Sequence, residues 1–193
     1  AHLMMSSPRH FEVSYTINPW MDPAQWSVSA SRLAEDARRG WEQLKGTYER
    51  LGARIWTQPA VRGQPDMVFT ANAGLVGGRR FLVSRFRYPE RQYEEPYFAD
   101  WFLDRGYEVE HMPRDIPFEG AGDALLDRGA RRLWFAHGHR SVIAAREVIA
   151  GLFGIEVVTL RLSDERFYHL DTCLCPLEDG YLPIPSVTWR HPA

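Results

Sequence analysis

The feature that most restricts this chain is a recurrence of about fifty residues. Three segments repeat an apolar residue every three or four positions and then stop at glycine. Ala30, Ala34, Ala37, Trp41, Leu44, Tyr48 and Leu51 precede Gly52; Tyr93, Tyr97, Trp101 and Phe102 precede Gly106; Val142, Ala145, Ile149 and Leu152 precede Gly154. That period is helical, and glycine is a common helix stop because it enters the left-handed region without a Cβ clash. Each glycine leads into a strand-like run, "ARIWTQP", "YEVEHMP" or "IEVVTLRL", rich in β-branched and aromatic residues. Two further apolar segments then flank a Gly-Gly, Arg-Gly or Asp-Gly turn: "MVFTANAGLV–GGRR–FLVSR", "FEGAGDALL–DRGARR–LWFAHG" and "YHLDTCLCPL–EDG–YLPIP". The helix-ending glycines are 54 and 48 residues apart; Asn72, Asp123 and Asp171 take matching places on the first hairpin strand, 51 and 48 apart. The chain reads as an α/β protein of three αβββ units, with no linker between them.

Charge and composition remove several classes. The net charge of −2, with the charges interspersed, leaves no electrostatic footprint for nucleic acid. No apolar run approaches a membrane span and no signal pattern opens the chain. The first four residues, "AHLM", read as a cloning remnant, which leaves 5–193 as one partial domain. Two cysteines only two positions apart on a strand are not expected to pair, so a cytoplasmic setting is expected. "HGH" and "CLC" have neither zinc-finger spacing nor the i, i+4 histidine pair of a helical site, so no metal or other cofactor is expected.

The polar residues of the three hairpins form the candidate site. Their first strands supply Asn72, Glu119 with Asp123, and His169 with Asp171. Carboxylates and an amide brought to one axis suit a flat cation with several donors, and guanidinium is the obvious one. A histidine beside them can move protons near neutral pH. The glycines of "EGAGD" are expected to let backbone approach a ligand.

"FTAN" at 69–72, "EGAGD" at 119–123 and "HLDT" at 169–172 resemble, in order and spacing, the guanidine-modifying enzymes of the pentein (α/β-propeller) superfamily. These comprise arginine deiminases, arginine dihydrolases, dimethylarginine dimethylaminohydrolases and amidinotransferases. The resemblance runs from about residue 11 onward, and the opening "HFEVSYTINPWM" shares it. It implies a five-bladed propeller with a Cys-His-acid site on its axis and a small guanidine as substrate. His169 is then the general acid/base, Glu119 its orienting carboxylate and Asp171 the guanidinium ligand. Asn72 stands where the family usually has a second aspartate, as in the arginine dihydrolase branch, which takes arginine to ornithine, ammonia and CO2. Arg91 and Arg140 fall where related enzymes hold the substrate's α-carboxylate, and Asn18 is a further residue that could line the site or cap a turn.

The family's nucleophilic cysteine has no match here. On an extended strand Cys173 and Cys175 would lie roughly 13 Å and 20 Å from His169, out of hydrogen-bond reach, so both are expected to be packed apolar residues. Five units of this size need about 250 residues. The nucleophile is therefore expected beyond Ala193, and the chain alone is expected to be inactive. Open edges of the incomplete ring are expected to be covered by the missing segment or by self-association. Two other readings remain: an amidinotransferase, and a non-catalytic binding module.

Overall fold

The computed structural model describes residues 1–178 and the backbone of 189–190; the strand expected at "YLPIP" lies outside the described residues. The chain forms two compact units, Ala1–Thr70 and Ala71–Ala193.

In the first unit, β1 (His2–Ser6) lies parallel to the later strand β2 (Arg54–Gln58), with Met4 opposite Trp56. Parallel strands need a long crossover, which the helices α1 (Pro23–Val28) and α2 (Ala30–Arg50) supply. Asp22 caps α1 by accepting from Gln25 N at 3.0 Å, with Pro23 at the first helical position. His2, Leu3 and Met4 pair with Arg54, Ile55 and Trp56 in this sheet. Asn18 caps a turn: its Oδ1 accepts from Trp20 N at 2.9 Å.

The second unit repeats one pattern. A hairpin, β3 (Gly74–Gly77) with β4 (Arg80–Val83), is followed by α3 (Pro89–Gln92), α4 (Glu95–Leu103) and β5 (Glu108–His111), which returns parallel to β4. The next hairpin, β6 (Ala124–Leu126) with β7 (Arg132–His137), is followed by α5 (Ala145–Phe153) and β8 (Glu156–Leu162), parallel to β7. A short strand, β9 (Trp189–Arg190), adds antiparallel to β8. The repeat is visible in the register: Arg80 faces Glu108 in one sheet and Arg132 faces Glu156 in the other.

The expected order α-β-β-β recurs along the chain, and within each sheet it groups as ββαβ. Each helix returns the chain to the hairpin before it, because only a crossover of that length can bring a strand back parallel. Ten buried residues, among them Leu82, Phe118, Phe135 and Ile149, join the two sheets and α5 in one core. Among the described residues, no helix is long and apolar enough to cross a membrane.

The polar residues expected on the first hairpin strands sit instead on short 3-10 turns just before them, at Thr70–Ala73 and Gly120–Gly122. Leu170–Thr172 forms the third such turn. There the N–H groups of Cys173 and Leu174 both bond to Leu170 O, at 3.0 and 2.9 Å, so the chain coils and no strand forms over 168–177. The "EGAGD" glycines admit protein neighbours. Gly120 has φ +63°, and a Cβ there would lie 2.7 Å from Gly74 N and 2.8 Å from Ala71 O. Gly120→Ala should therefore cost about 2 kcal/mol or more, from left-handed strain plus collision with fixed backbone, read from urea denaturation midpoints.

Candidate active site

The three turns bring one histidine between two carboxylates. His169 Nε2 lies 3.2 Å from Glu119 Oε2, and Nδ1 lies 3.2 Å from Asp123 Oδ1, the latter outside hydrogen-bond geometry. All three side chains are buried. Burial by itself pushes the imidazole down, but Asp123 and Glu119 outweigh it and the pKa rises to about 9. Burial likewise works against the Glu119 carboxylate, yet His169, Arg140 and Arg91 hold it well below the usual carboxylate range. The raised pKa favours an imidazolium facing the Glu119 and Asp123 side chains.

Further buried groups fix this centre. Arg140 donates to Glu119 Oε2 at 2.9 Å and is flanked by the Tyr88 and Tyr168 rings, each with its centroid 4.9 Å away. Ser141 Oγ donates to Asp123 Oδ2 at 2.6 Å and accepts from Glu119 N at 3.0 Å, tying both carboxylate-bearing residues to the end of the second hairpin. Asp123 Oδ1 also accepts from Leu170 N at 3.2 Å, which anchors the turn that carries His169.

Asn72 reaches the same centre from the first turn, its Nδ2 3.4 Å from His169 Nε2. Its Oδ1 accepts from Arg91 at 3.0 Å. Arg91 lies over the Phe86 ring and places its other nitrogens on both oxygens of Glu94, at 2.9 and 2.8 Å. Both arginines are thus buried and engaged with internal carboxylates.

Asp171 differs from the rest. Its side chain is solvent-accessible but ringed by protein, and desolvation pushes its carboxyl up to about 6, against the pull of the His169 charge. It lies within electrostatic reach of both His169 and Asp123. The sequence-derived residues Asn72, Glu119, Asp123, Arg91, Arg140 and His169 thus form one connected cluster, with Asp171 at its accessible side.

The cysteines do not behave alike. Because the chain coils, the Cys173 thiol lies 3.8 Å from His169 O, far closer than an extended strand allows. It is buried in a leucine-rich cluster, and burial pushes its pKa up to about 11, unfit for a nucleophile at neutral pH. Cys175 is exposed, not packed as the sequence led us to expect. Among the described residues no group of three or more His, Cys, Asp or Glu side chains is arranged to hold a metal ion.

No family model matches the chain. Over 180 residues it is 50% identical to the bifunctional arginine dihydrolase/ornithine cyclodeaminase ArgZ of Synechocystis, covering 93% of this chain and 25% of that protein. The N(G),N(G)-dimethylarginine dimethylaminohydrolase of Mycobacterium tuberculosis is 40% identical over 178 residues, covering 91% of this chain and 55% of that enzyme. The crystal structure of the cyanobacterial ArgZ N-terminal domain, a cysteine-to-serine variant bound to substrate, superposes with a TM-score of 0.86 at 45% identity, covering 96% of this chain and 68% of that one.

The chain belongs to the guanidine-modifying pentein superfamily. It spans about a quarter of the cyanobacterial relatives' full length and about two thirds of the arginine dihydrolase domain. A dimethylarginine dimethylaminohydrolase structure at 22% identity and a TM-score of 0.68 shares the fold.

Sequence reasoning missed Glu94, Ser141, Tyr88 and Tyr168. The Arg91/Glu94 pair was readable as i, i+3 spacing, whereas Ser141 and the tyrosines announce themselves only through the turns that gather them. Because the folded-state pKa of His169 is raised, its stabilisation is complete below the unfolded value of about 6.5 and is lost as pH rises through about 9. Urea midpoints should fall across that interval, and His169→Gln should flatten the fall.

Proposed function

We propose that this chain forms the guanidinium-binding and proton-transfer part of a hydrolase that acts on arginine or a related guanidine, with arginine dihydrolase chemistry favoured. One observation supports this most strongly. The buried cluster pairs three basic residues, Arg91, Arg140 and His169, with three acidic ones, Glu94, Glu119 and Asp123, and the accessible Asp171 adds a fourth acid beside it. A site with one uncompensated, desolvated carboxylate suits a ligand with one positive charge and planar donors.

In this reading Asp171 holds the guanidinium while a thiolate attacks its carbon. The C–N bond breaks, and the departing nitrogen takes the His169 proton; water then attacks the covalent amidino-enzyme, giving one proton back to His169 as the C–S bond breaks and the thiolate is released, while its second proton passes to the liberated ammonia. Glu119 and Asp123 hold the ring and stabilise its charged form. In this reading Cys173 is not that thiolate, because burial raises its pKa. Asn72 supplies an amide where a second carboxylate would grip the guanidinium, which favours the outcome carried on to ornithine over one that stops at citrulline.

The intact protein should release ammonia from arginine, and His169→Ala should lower kcat by roughly 10²–10⁴-fold, the range of a general acid/base. No turnover of arginine or methylated arginines would refute the proposal. Arginine affinity should also fall about tenfold per pH unit below about 6, as the Asp171 carboxylate is protonated, and Asp171→Asn should abolish that dependence. Calorimetric titration at several pH values measures both.

A further inference from the structure

The Asn72 amide has two unlike edges, and the side chains around it decide which edge faces His169. A guanidinium can only donate, so the Asn72 atom that meets Arg91 at 3.0 Å is the carbonyl oxygen. The amide NH2 is thereby turned toward His169 Nε2, 3.4 Å away. Arg91 is itself held by Glu94, a fully buried carboxylate three residues on, whose two oxygens take two guanidinium nitrogens at 2.9 and 2.8 Å. This fork is planar and bidentate, the geometry that fixes an arginine most rigidly. By holding two guanidinium nitrogens, Glu94 sets the plane of the group that holds the Asn72 oxygen.

We propose that Glu94 is a positioning residue: through Arg91 it locks the Asn72 amide with its NH2 edge toward His169. The inference rests on the reading of this cluster as a guanidine site. The consequence is chemical. While Nε2 carries its proton toward Glu119, the Asn72 NH2 is a donor beside a donor. Once Nε2 has given the proton up, the same NH2 can donate to it. A locked amide therefore favours proton release from His169 relative to a freely turning one, which could present its oxygen to the protonated ring. Among the described residues, the charged and titratable groups around that ring include Glu119, Asp123, Asp171, Arg140, Arg91 and Tyr168, whose ring lies 5.2 Å from it, and Glu94 pairs with Arg91.

The test is side-chain amide hydrogen exchange of Asn72, followed by NMR on the 193-residue chain. Glu94→Gln should speed exchange of the Asn72 NH2 at least tenfold and shift its resonance, while the core backbone amides of Phe118 and Phe135 keep their protection. Should the unpaired Arg91 prevent Glu94→Gln from folding, Arg91→Met/Glu94→Met removes both charges together and should release Asn72 in the same way. Unchanged Asn72 exchange in the folded variants overturns the proposal. So does acceleration shared in proportion by Phe118 and Phe135, which marks general loosening. Arginine titration of the wild-type chain reports separately on the guanidine reading: absence of binding counts against that reading and leaves the Asn72 exchange result standing.

Discussion

A protonated histidine buried between two carboxylates is tolerable only if every charge around it is matched. Glu119 answers to both His169 and Arg140, Asp123 is held by the Ser141 hydroxyl and the Leu170 amide, and Arg91 is closed off by Glu94. Removing one member of such a set strands its partner, at a cost of about 3–5 kcal/mol for a buried pair. The cluster is thus both the chemical centre and a constraint that the three turns must satisfy together. Asp171 lies at the accessible side of this set, within electrostatic reach of His169 and Asp123.

The turns themselves depend on small residues. Gly120 lets one turn lie against the backbone at Ala71 and Gly74, and at Gly122 a Cβ would collide with the Asn72 amide and press on His169. Packing that removes side chains at these points brings polar groups from positions about fifty residues apart within hydrogen-bond reach. The ββαβ sheets behind, with the Phe118 and Phe135 core, hold the turns in register.

Much of this was legible in the sequence. The glycine stops predicted three helices, and the recurring polar residues predicted that Asn72, Glu119, His169 and their neighbours meet. The phase of the repeat was not legible, because β5 and β8 look the same in sequence whichever hairpin they join; the parallel crossover decides it. Nor could periodicity distinguish a strand at "YHLDTCLC" from a coil closed by backbone bonds to Leu170 O, and that difference brings Cys173 near His169 while leaving it in a leucine cluster. The engagement of Arg91 and Arg140 with internal carboxylates needed coordinates, since an arginine near a site reads alike whether it faces substrate or protein.

His169 should be charged at neutral pH because Asp123 and Glu119 outweigh its burial. Nitrogen NMR of the ring-labelled histidine tests it most directly, since protonated and bare imidazole nitrogens resonate far apart. Both His169 nitrogens should carry protons at pH 7, with the ring losing one only as pH approaches about 9. A His169 ring that is already neutral at pH 7, with one bare nitrogen, would contradict it.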